Sequence, residues 1–148
     1  CEYIEQGMTI IITGPAGTGK SYFAQALGER ACRLNYKTMY FTMNKLADAL
    51  KLARLEGREV NFFKKLANQD LLIIDDLGTE FATMFTASEL FRIVNDRKLR
   101  KRPVVISTNL DYRALMEQYS DRVMSRLIGE YTTLKFFGDD IRMKKKYR

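Results

Sequence analysis

Short apolar runs and longer amphipathic segments alternate along this chain. Five runs have the length and composition of strands: Met8–Thr13, Thr38–Thr42, Leu71–Asp75, Pro103–Thr108 and Thr132–Phe137. The third run contains Leu-Leu-Ile-Ile and the fourth contains Val-Val-Ile, without the polar alternation of a half-exposed strand. Continuous apolar runs of this length are typical of strands covered on both faces, as in a parallel sheet.

Between these runs, apolar residues recur every three or four positions, as on the buried face of a helix. This spacing predicts helices over Ser21–Leu34, Lys45–Leu55 and Val60–Ala67. A capping box of Thr86 and Glu89 predicts the start of another helix, and Asp111 is a candidate N-cap for the next. A last helix is expected near Ser120–Ile128, ending at Gly129. Alternating strands and helices predict an α/β fold: a five-stranded parallel sheet with helices on both faces, in three α/β/α layers.

Composition narrows the classes of function. The 148 residues suffice for one domain and include no His, which excludes His-based acid–base chemistry and His-ligated metals. Two Cys cannot form a disulfide framework, so we expect a reducing cytoplasmic location. No apolar run approaches the ~20 residues of a membrane span, and no membrane partner is expected.

The net charge of +7 is concentrated in two basic runs. These are Arg97, Lys98, Arg100, Lys101 and Arg102, and then Arg142, Lys144, Lys145, Lys146 and Arg148. Such runs attract polyanions by a salt-sensitive mechanism, and the alternative is an ordinary solvated surface.

The first strand leads directly into a glycine-rich loop. It reads Gly14-Pro15-Ala16-Gly17-Thr18-Gly19-Lys20-Ser21, which matches G-x-x-x-x-G-K-[ST] between a strand and a helix. Glycines let backbone N–H groups approach phosphate oxygens, and the helix adds its positive N-terminal end. Lys20 is expected to reach the β and γ phosphates, and the Ser21 hydroxyl to bind Mg²⁺. A glycine-rich turn that binds nothing is the alternative, but the Lys, the Ser and the flanking elements disfavour it.

Polar side chains follow the third and fourth strands. Asp75 and Asp76 end the apolar run Leu71–Ile74, and Asn109 follows the fourth strand. In parallel sheets ligands bind beyond these carboxyl ends. We assign Asp75 to the metal and Asp76 to the attacking water, with Glu80 as a weaker alternative acid. Asn109 is expected to contact the γ phosphate or the water, although Asn is also an ordinary turn residue after a strand.

Arg122 and Arg126 lie four residues apart and would share one face of a helix. An arginine held against the phosphate of a neighbouring subunit, an arginine finger, accelerates hydrolysis ~10³–10⁵-fold. From the residues alone, pairing with nearby acids such as Asp121 is the commoner arrangement of helical arginines.

Five segments together resemble a known family. They read G-P-A-G-T-G-K-S, L-L-I-I-D-D-L-G, I-S-T-N-L, S-D-R-V-M-S-R-L-I-G and F-G-D-D-I-R-M-K-K-K. In combination they resemble the AAA+ ATPase core, a P-loop NTPase fold, of the DnaC/DnaI-type replicative helicase loaders. The related IstB transposition ATPases share much of the pattern. The resemblance extends from Met8 to Lys146, and it implies that residues 1–148 form a single AAA+ domain.

This resemblance implies a slow, contact-dependent ATPase that uses ATP and Mg²⁺. It would assemble on the replicative DNA helicase and on single-stranded DNA, within the primosome, when DNA replication begins. Copies of the chain would self-associate through nucleotide-bridged interfaces. The implied roles are Walker A for Gly14–Ser21, Walker B for Leu71–Asp76, sensor 1 for Asn109, arginine finger for Arg126 with Arg122 as the alternative, and sensor 2 for Arg142.

The segment Asn44–Asn68 would match a helical insertion that lines a single-stranded DNA path, with Phe62 and Phe63 as candidates for base stacking. Two departures from the family matter. Walker B usually ends in Asp-Glu, and the shorter Asp76 predicts slow hydrolysis. The chain begins at Cys1 and shows no helicase-binding region before the core, so we expect it to be a fragment of a longer protein.

Three other functions remain open at this point. The first is an IstB-like transposition ATPase, because the same core serves both roles. The second is a small nucleotide or metabolite kinase, and the third is an ATP-sensing scaffold that does not hydrolyse. The sequence leaves the adenine contacts, the DNA contacts and the oligomer size undetermined.

Overall fold

Strands and helices alternate in the computed structural model, which describes residues 2–78, 84–119, 124–125 and 132–135. The strands are β1 (Ile10–Thr13), β2 (Thr38–Thr42), β3 (Leu71–Leu77), β4 (Val104–Thr108) and β5 (Thr132–Lys135). The helices are α1 (Glu2–Glu5), α2 (Lys20–Arg33), α3 (Met43–Leu55), α4 (Glu59–Ala67), α5 (Met84–Leu99) and α6 (Tyr112–Tyr119). Of the predicted helix near Ser120–Ile128, the described part is Met124 and Ser125, which are helical.

All the strands pair in parallel, in the order β2-β3-β4-β1-β5. This confirms the predicted α/β fold with a five-stranded parallel sheet. Since β4 lies between β3 and β1, the carboxyl ends of these three strands are neighbours at one edge of the sheet. The glycine-rich loop and Asn109 follow the ends of β1 and β4, and the acidic pair lies in the last residues of β3, so the fold brings the three motifs to one edge.

Each face of the sheet is covered by its own apolar cluster. Alternate residues of β3 contribute to different clusters, because successive strand side chains point to opposite faces. Leu71 and Ile73 pack with Ala24 and Ala31 of α2, whereas Leu72 and Ile74 join the larger cluster under α3, α4, α5 and α6. This two-sided burial is the reason why β3 reads as an unbroken apolar run.

The segment Asn44–Asn68 is part of the core. α3 begins at Met43, earlier than the predicted Lys45, because the Thr42 hydroxyl caps it by accepting a hydrogen bond from the backbone N–H of Lys45 at 3.3 Å. Leu46 and Leu66, from α3 and α4, are at most 2% exposed. These two helices therefore contribute to the main hydrophobic cluster.

Phe62 and Phe63 are half-buried against this cluster. The ring of Phe62 meets that of Phe41 edge-on at 6.3 Å, and the guanidinium of Arg92 lies 3.8 Å from the centre of the Phe63 ring. Both rings therefore contact other side chains of the protein in this conformation. Packing of this kind is the alternative to stacking on DNA bases.

Two sequence-based boundaries are wrong. The strand predicted to end at Asp75 continues to Leu77, with a register shift between Ile74 and Leu77. Thr86 does not cap α5, because the helix already includes Met84 and Thr86 lies buried inside it. Asp111 does cap α6, as predicted: its carboxylate accepts a hydrogen bond from the backbone N–H of Ala114 at 2.8 Å.

Three arginines of the basic run from Arg97 to Arg102 form contacts within the protein, and binding of a polyanion by this run stays a prediction. Arg97 is 1% exposed, and its guanidinium donates to the carbonyl oxygens of Leu66 and Pro103 at 2.8–3.3 Å. Arg102 donates to two further carbonyl oxygens, and Arg100 pairs with Asp96 one turn earlier in the chain. The second basic run lies outside the described residues.

Within the described ranges, no helix combines the length and the apolar composition needed to cross a bilayer.

Candidate functional site

The loop after β1 has the backbone of a phosphate cradle. Gly17 (φ 77°) and Gly19 (φ 93°) lie in the left-handed region that other residues avoid, and Gly19 is the N-cap of α2. The first N–H groups of a helix have no partners within the helix. In α2 they face this loop, which creates a site suited to an anion.

Lys20 is folded over the loop. Its side chain is almost fully buried, and the ammonium donates a hydrogen bond to the carbonyl oxygen of Pro15 at 2.6 Å. The Thr18 hydroxyl donates to the same oxygen at 2.8 Å. The positive charge of Lys20 is therefore held within the cradle formed by Gly14, Pro15, Ala16, Gly17, Thr18 and Gly19, where it would meet phosphate oxygens.

The Asp75 carboxylate lies beside this loop, at the end of β3, and is 1% exposed. Its Oδ1 accepts hydrogen bonds from the Ser21 hydroxyl at 3.1 Å, from the Ser107 hydroxyl and from the backbone N–H of Asp76. Its Oδ2 accepts one from the Tyr40 hydroxyl. The structure thus brings Ser21 and Asp75, the two predicted metal ligands, into direct contact across 54 residues of sequence.

These residues fit a magnesium ion. Mg²⁺ prefers oxygen ligands and is usually bound by one or two protein groups, with water and substrate phosphates completing the shell. Ser21 and Asp75 offer a hydroxyl and a carboxylate oxygen next to the phosphate cradle. Over the described residues, no three or more His, Cys, Asp or Glu side chains cluster as a metal site of their own.

A bulge gives Asp76 an orientation different from that of Asp75. Asp76 has a positive φ of 56° and lies within the register shift of β3 against β4. Its backbone N–H donates to the Ser107 hydroxyl at 3.0 Å. Bulges redirect side chains and are frequent beside active sites. The adjacent carboxylates therefore differ: Asp75 is buried and Asp76 is half-exposed at the same edge.

Tyr40 and Ser107 both contact the Asp75 carboxylate, and the sequence alone identified neither contact. Ser107 and Thr108 are buried hydroxyls that follow three apolar residues of β4, and this pair of polar residues was the signal available in the sequence. Tyr40 had no such signal. Burial raises the pKa of the Tyr40 hydroxyl to about 12, and its hydrogen bond to Asp75 adds to the increase. Tyr40 is consequently a neutral hydrogen-bond donor at physiological pH.

The other predicted site residues are placed only in part. Asn109 is exposed and directly follows Thr108, which is paired with Leu77, so it lies at the acidic edge of the sheet. Glu80, Arg122, Arg126 and Arg142 lie outside the described residues, and their roles stay predictions.

The comparison with known proteins identifies the family. A family model described as IstB-like ATP binding protein matches residues 1–148. The chain belongs to this IstB-like family. It is an ATP-binding AAA+ protein. The sequence resemblance favoured the helicase loaders over the IstB proteins, whereas the family match favours the IstB proteins.

Relatives of this IstB-like chain support the same assignment. A Pseudomonas aeruginosa protein named for insertion sequence IS21 and for ATP binding is 28% identical over 149 residues, covering 97% of this chain and 56% of its own length. A replicative helicase loader DnaC from Buchnera aphidicola is 30% identical over 141 residues, covering 92% of this chain and 57% of its own length. The IstB-like chain thus spans somewhat more than half the length of these relatives.

A solved structure agrees with the fold. The replication initiator DnaA bound to AMPPCP and single-stranded DNA superposes with a TM-score of 0.85 at 26% identity. The superposition covers 99% of this chain and 48% of the DnaA chain. The IstB-like chain therefore has an AAA+ core similar to that of a protein known in complex with an ATP analogue.

Proposed function

We propose that this chain is the ATP-hydrolysing core of a transposition ATPase that acts with an insertion sequence. The family membership and the insertion-sequence names of its relatives favour transposition over helicase loading. The observation that carries the enzymatic part is the contact between Ser21 of the glycine-rich loop and Asp75 of β3. This contact unites a phosphate cradle and a metal-binding carboxylate at one edge of the sheet.

Each residue then has a role. The backbone of Gly14–Ser21 binds the triphosphate, and Lys20 neutralises its β and γ oxygens. Ser21 and Asp75 would hold Mg²⁺, which supplies charge neutralisation for the phosphates when bound. Asp76 orients or deprotonates the attacking water, and Asn109 contacts the γ phosphate or that water. Because Asp76 is one methylene shorter than the usual glutamate, turnover is slow.

Copies of the chain complete the site. Arg126, or Arg122 in its place, reaches the nucleotide of a neighbouring copy, and Arg142 reaches it from the C-terminal side of the same chain. ATP binding favours an assembly that grips DNA, and hydrolysis resets it. Turnover therefore rises with protein concentration, and Arg126→Ala loses turnover while it keeps ATP binding.

The central test compares two lysine variants in an ATP-binding assay with Mg²⁺ present. Lys20→Ala should abolish binding, because the charge inside the cradle is removed. Lys37→Ala is the matched control, since Lys37 is exposed and precedes β2, at the opposite edge of the sheet from the cradle. Unfolding curves of both variants should match the wild type. Unchanged ATP affinity in folded Lys20→Ala would end the proposal.

Helicase loading is the second candidate, favoured by the similarity to the Buchnera aphidicola loader. The two candidates differ in their protein partner, so ATP turnover should be measured with purified transposase from the same insertion sequence and, separately, with a replicative helicase. Stimulation by the transposase alone supports our proposal. Stimulation by the helicase alone, together with single-stranded DNA, supports a loader.

Two further outcomes concern the chemistry. Transfer of phosphate from ATP to a small acceptor would favour the kinase alternative. ATP binding without hydrolysis in a single-turnover assay, with and without DNA, would favour the non-hydrolysing scaffold.

A further inference from the structure

The Asp75 carboxylate is contacted from three different elements of the fold. Ser21 from α2 and Ser107 from β4 donate to one of its oxygens, and Tyr40 from β2 donates to the other. We propose that Tyr40 is a positioning residue, which fixes the Asp75 carboxylate for the magnesium ion of the bound nucleotide. This inference rests on the proposed ATP and Mg²⁺ site.

Both oxygens of this carboxylate are restrained by hydrogen bonds. The last torsion of an aspartate is broad, so its hydrogen-bond partners rather than an intrinsic torsional preference set the carboxylate plane. Oδ1 of Asp75 accepts from two hydroxyls and one backbone N–H, whereas among the described residues Oδ2 accepts from Tyr40. Tyr40 therefore restrains the second oxygen of the carboxylate, and so the direction in which its lone pairs meet a metal or a metal-bound water.

The Tyr40 hydroxyl is itself held in place. β2 and β3 pair so that Thr42 is opposite Asp75, which puts Tyr40 two residues earlier in the neighbouring strand and on the same face. From the adjacent helix, the amide of Gln25 donates to the Tyr40 hydroxyl at 3.4 Å. Gln25 lies one helical turn after Ser21, so α2 supports both oxygens of Asp75, directly through Ser21 and indirectly through Gln25.

Replacement by phenylalanine isolates this contact. Tyr40 is 38% exposed, so removal of its hydroxyl disturbs little core packing. Tyr40→Phe keeps the ring and removes a single donor. Tyr22→Phe is the matched control, because Tyr22 lies on α2 directly after the loop and is 81% exposed.

The experiment measures how strongly Mg²⁺ improves nucleotide binding. A fluorescent ATP analogue is titrated into each protein with saturating Mg²⁺ and again in EDTA, and the ratio of the two affinities gives the coupling between metal and nucleotide. Partners that orient metal ligands are worth roughly 10- to 100-fold in metal affinity. Tyr40→Phe should therefore lower the coupling about 10-fold and leave the affinity in EDTA within about 2-fold of the wild type, while Tyr22→Phe changes neither.

A second variant protects the test against a folding defect. Gln25→Ala leaves Tyr40 in place and removes the donor to its hydroxyl, so it should lower the coupling in the same direction by about 2-fold, as expected for one weak hydrogen bond. Unfolding curves in the absence of nucleotide measure any purely structural cost, which would not change the coupling.

The possible results separate the two proposals. If the wild type shows no gain from Mg²⁺, or if Lys20→Ala binds normally, the proposed function fails and this inference fails with it. If the wild type behaves as expected and Tyr40→Phe keeps the full coupling, the positioning role alone is overturned. A stronger coupling in Tyr40→Phe also overturns it, because Tyr40 would then compete with the metal.

Discussion

The substitution Arg97→Ala tests quantitatively how much a buried arginine contributes to the stability of the core. The guanidinium is buried between α4 and the start of β4, and it donates to the carbonyl oxygens of Leu66 and Pro103. Among the described residues, no carboxylate forms an ion pair with it. Truncation therefore removes the Arg97 donors from both carbonyl groups and the side-chain packing that joins α4 to β4. Each carbonyl keeps one longer backbone contact, from the N–H of Gln69 at 3.3 Å and of Leu72 at 3.5 Å.

The expected loss of stability follows from these contacts. Hydrogen bonds that involve a charged group contribute about 1.5–3 kcal/mol each, which for two acceptors is roughly 3–6 kcal/mol. Burial of the charge opposes this gain, and it lowers the pKa of Arg97 from 12.5 to about 10. Arg97 also borders a groove of about 450 Å³ between α4 and α5, through which water can reach the exposed carbonyls. We therefore expect a net loss of about 2–4 kcal/mol in the free energy of unfolding.

Urea denaturation followed by far-UV circular dichroism measures this loss. Arg100→Ala is the matched control: Arg100 is half-exposed and pairs with Asp96 at 3.2 Å, an arrangement that contributes about 0.5 kcal/mol or less. Arg97→Lys keeps the charge but not the planar fork, so it should fall between the wild type and Arg97→Ala. If Arg97→Ala lies within about 0.5 kcal/mol of Arg100→Ala, the structural role of Arg97 is refuted.

Three further predictions concern the turns and the catalytic edge. Gly78→Ala should lower the free energy of unfolding in urea by more than about 2 kcal/mol, because φ is +100° and the new Cβ would lie 2.3 Å from Leu110. Gly57→Ala, where φ is +69° but no atom lies within 4 Å of the new Cβ, should lower it by about 1 kcal/mol. Thr42→Ala removes the cap of α3 and should lower the unfolding free energy by about 1 kcal/mol in the same assay. In a single-turnover ATPase assay, Asp76→Asn should abolish hydrolysis but retain ATP binding. Asp76→Glu should hydrolyse ATP faster than the wild type. Normal hydrolysis by Asp76→Asn would show that Asp76 has no part in the mechanism.

Local sequence signals sufficed for the elements and for the main motif. The unbroken apolar run of β3 is a consequence of burial on both faces, and such burial is a property of parallel sheets. The spacing of Gly14, Gly19, Lys20 and Ser21 predicts a phosphate loop because a strand precedes it and a helix follows. These features depend on residues close together in sequence, so they can be read without a structure.

Element ends were less predictable. Thr86 and Glu89 have the spacing of a capping box, yet α5 includes Met84, since a cap motif inside a longer helix has the same local sequence. The continuation of β3 beyond Asp75 depends on its pairing with β4, including the register shift that surrounds Asp76. Pairing between strands some 30 residues apart is not encoded in either strand alone.

The sequence by itself determined the α/β alternation, the phosphate loop and the acidic residues near the carboxyl end of β3. Only the tertiary structure decided the strand order, the convergence of Tyr40 and Ser107 on Asp75, and the burial of Arg97. The reason is physical: periodicity and caps report interactions within a few residues, whereas the environment of a charge depends on which distant strands and helices become its neighbours. Arg97 belongs to a run that could bind a polyanion, and only its burial shows that this arginine joins α4 to the start of β4 instead.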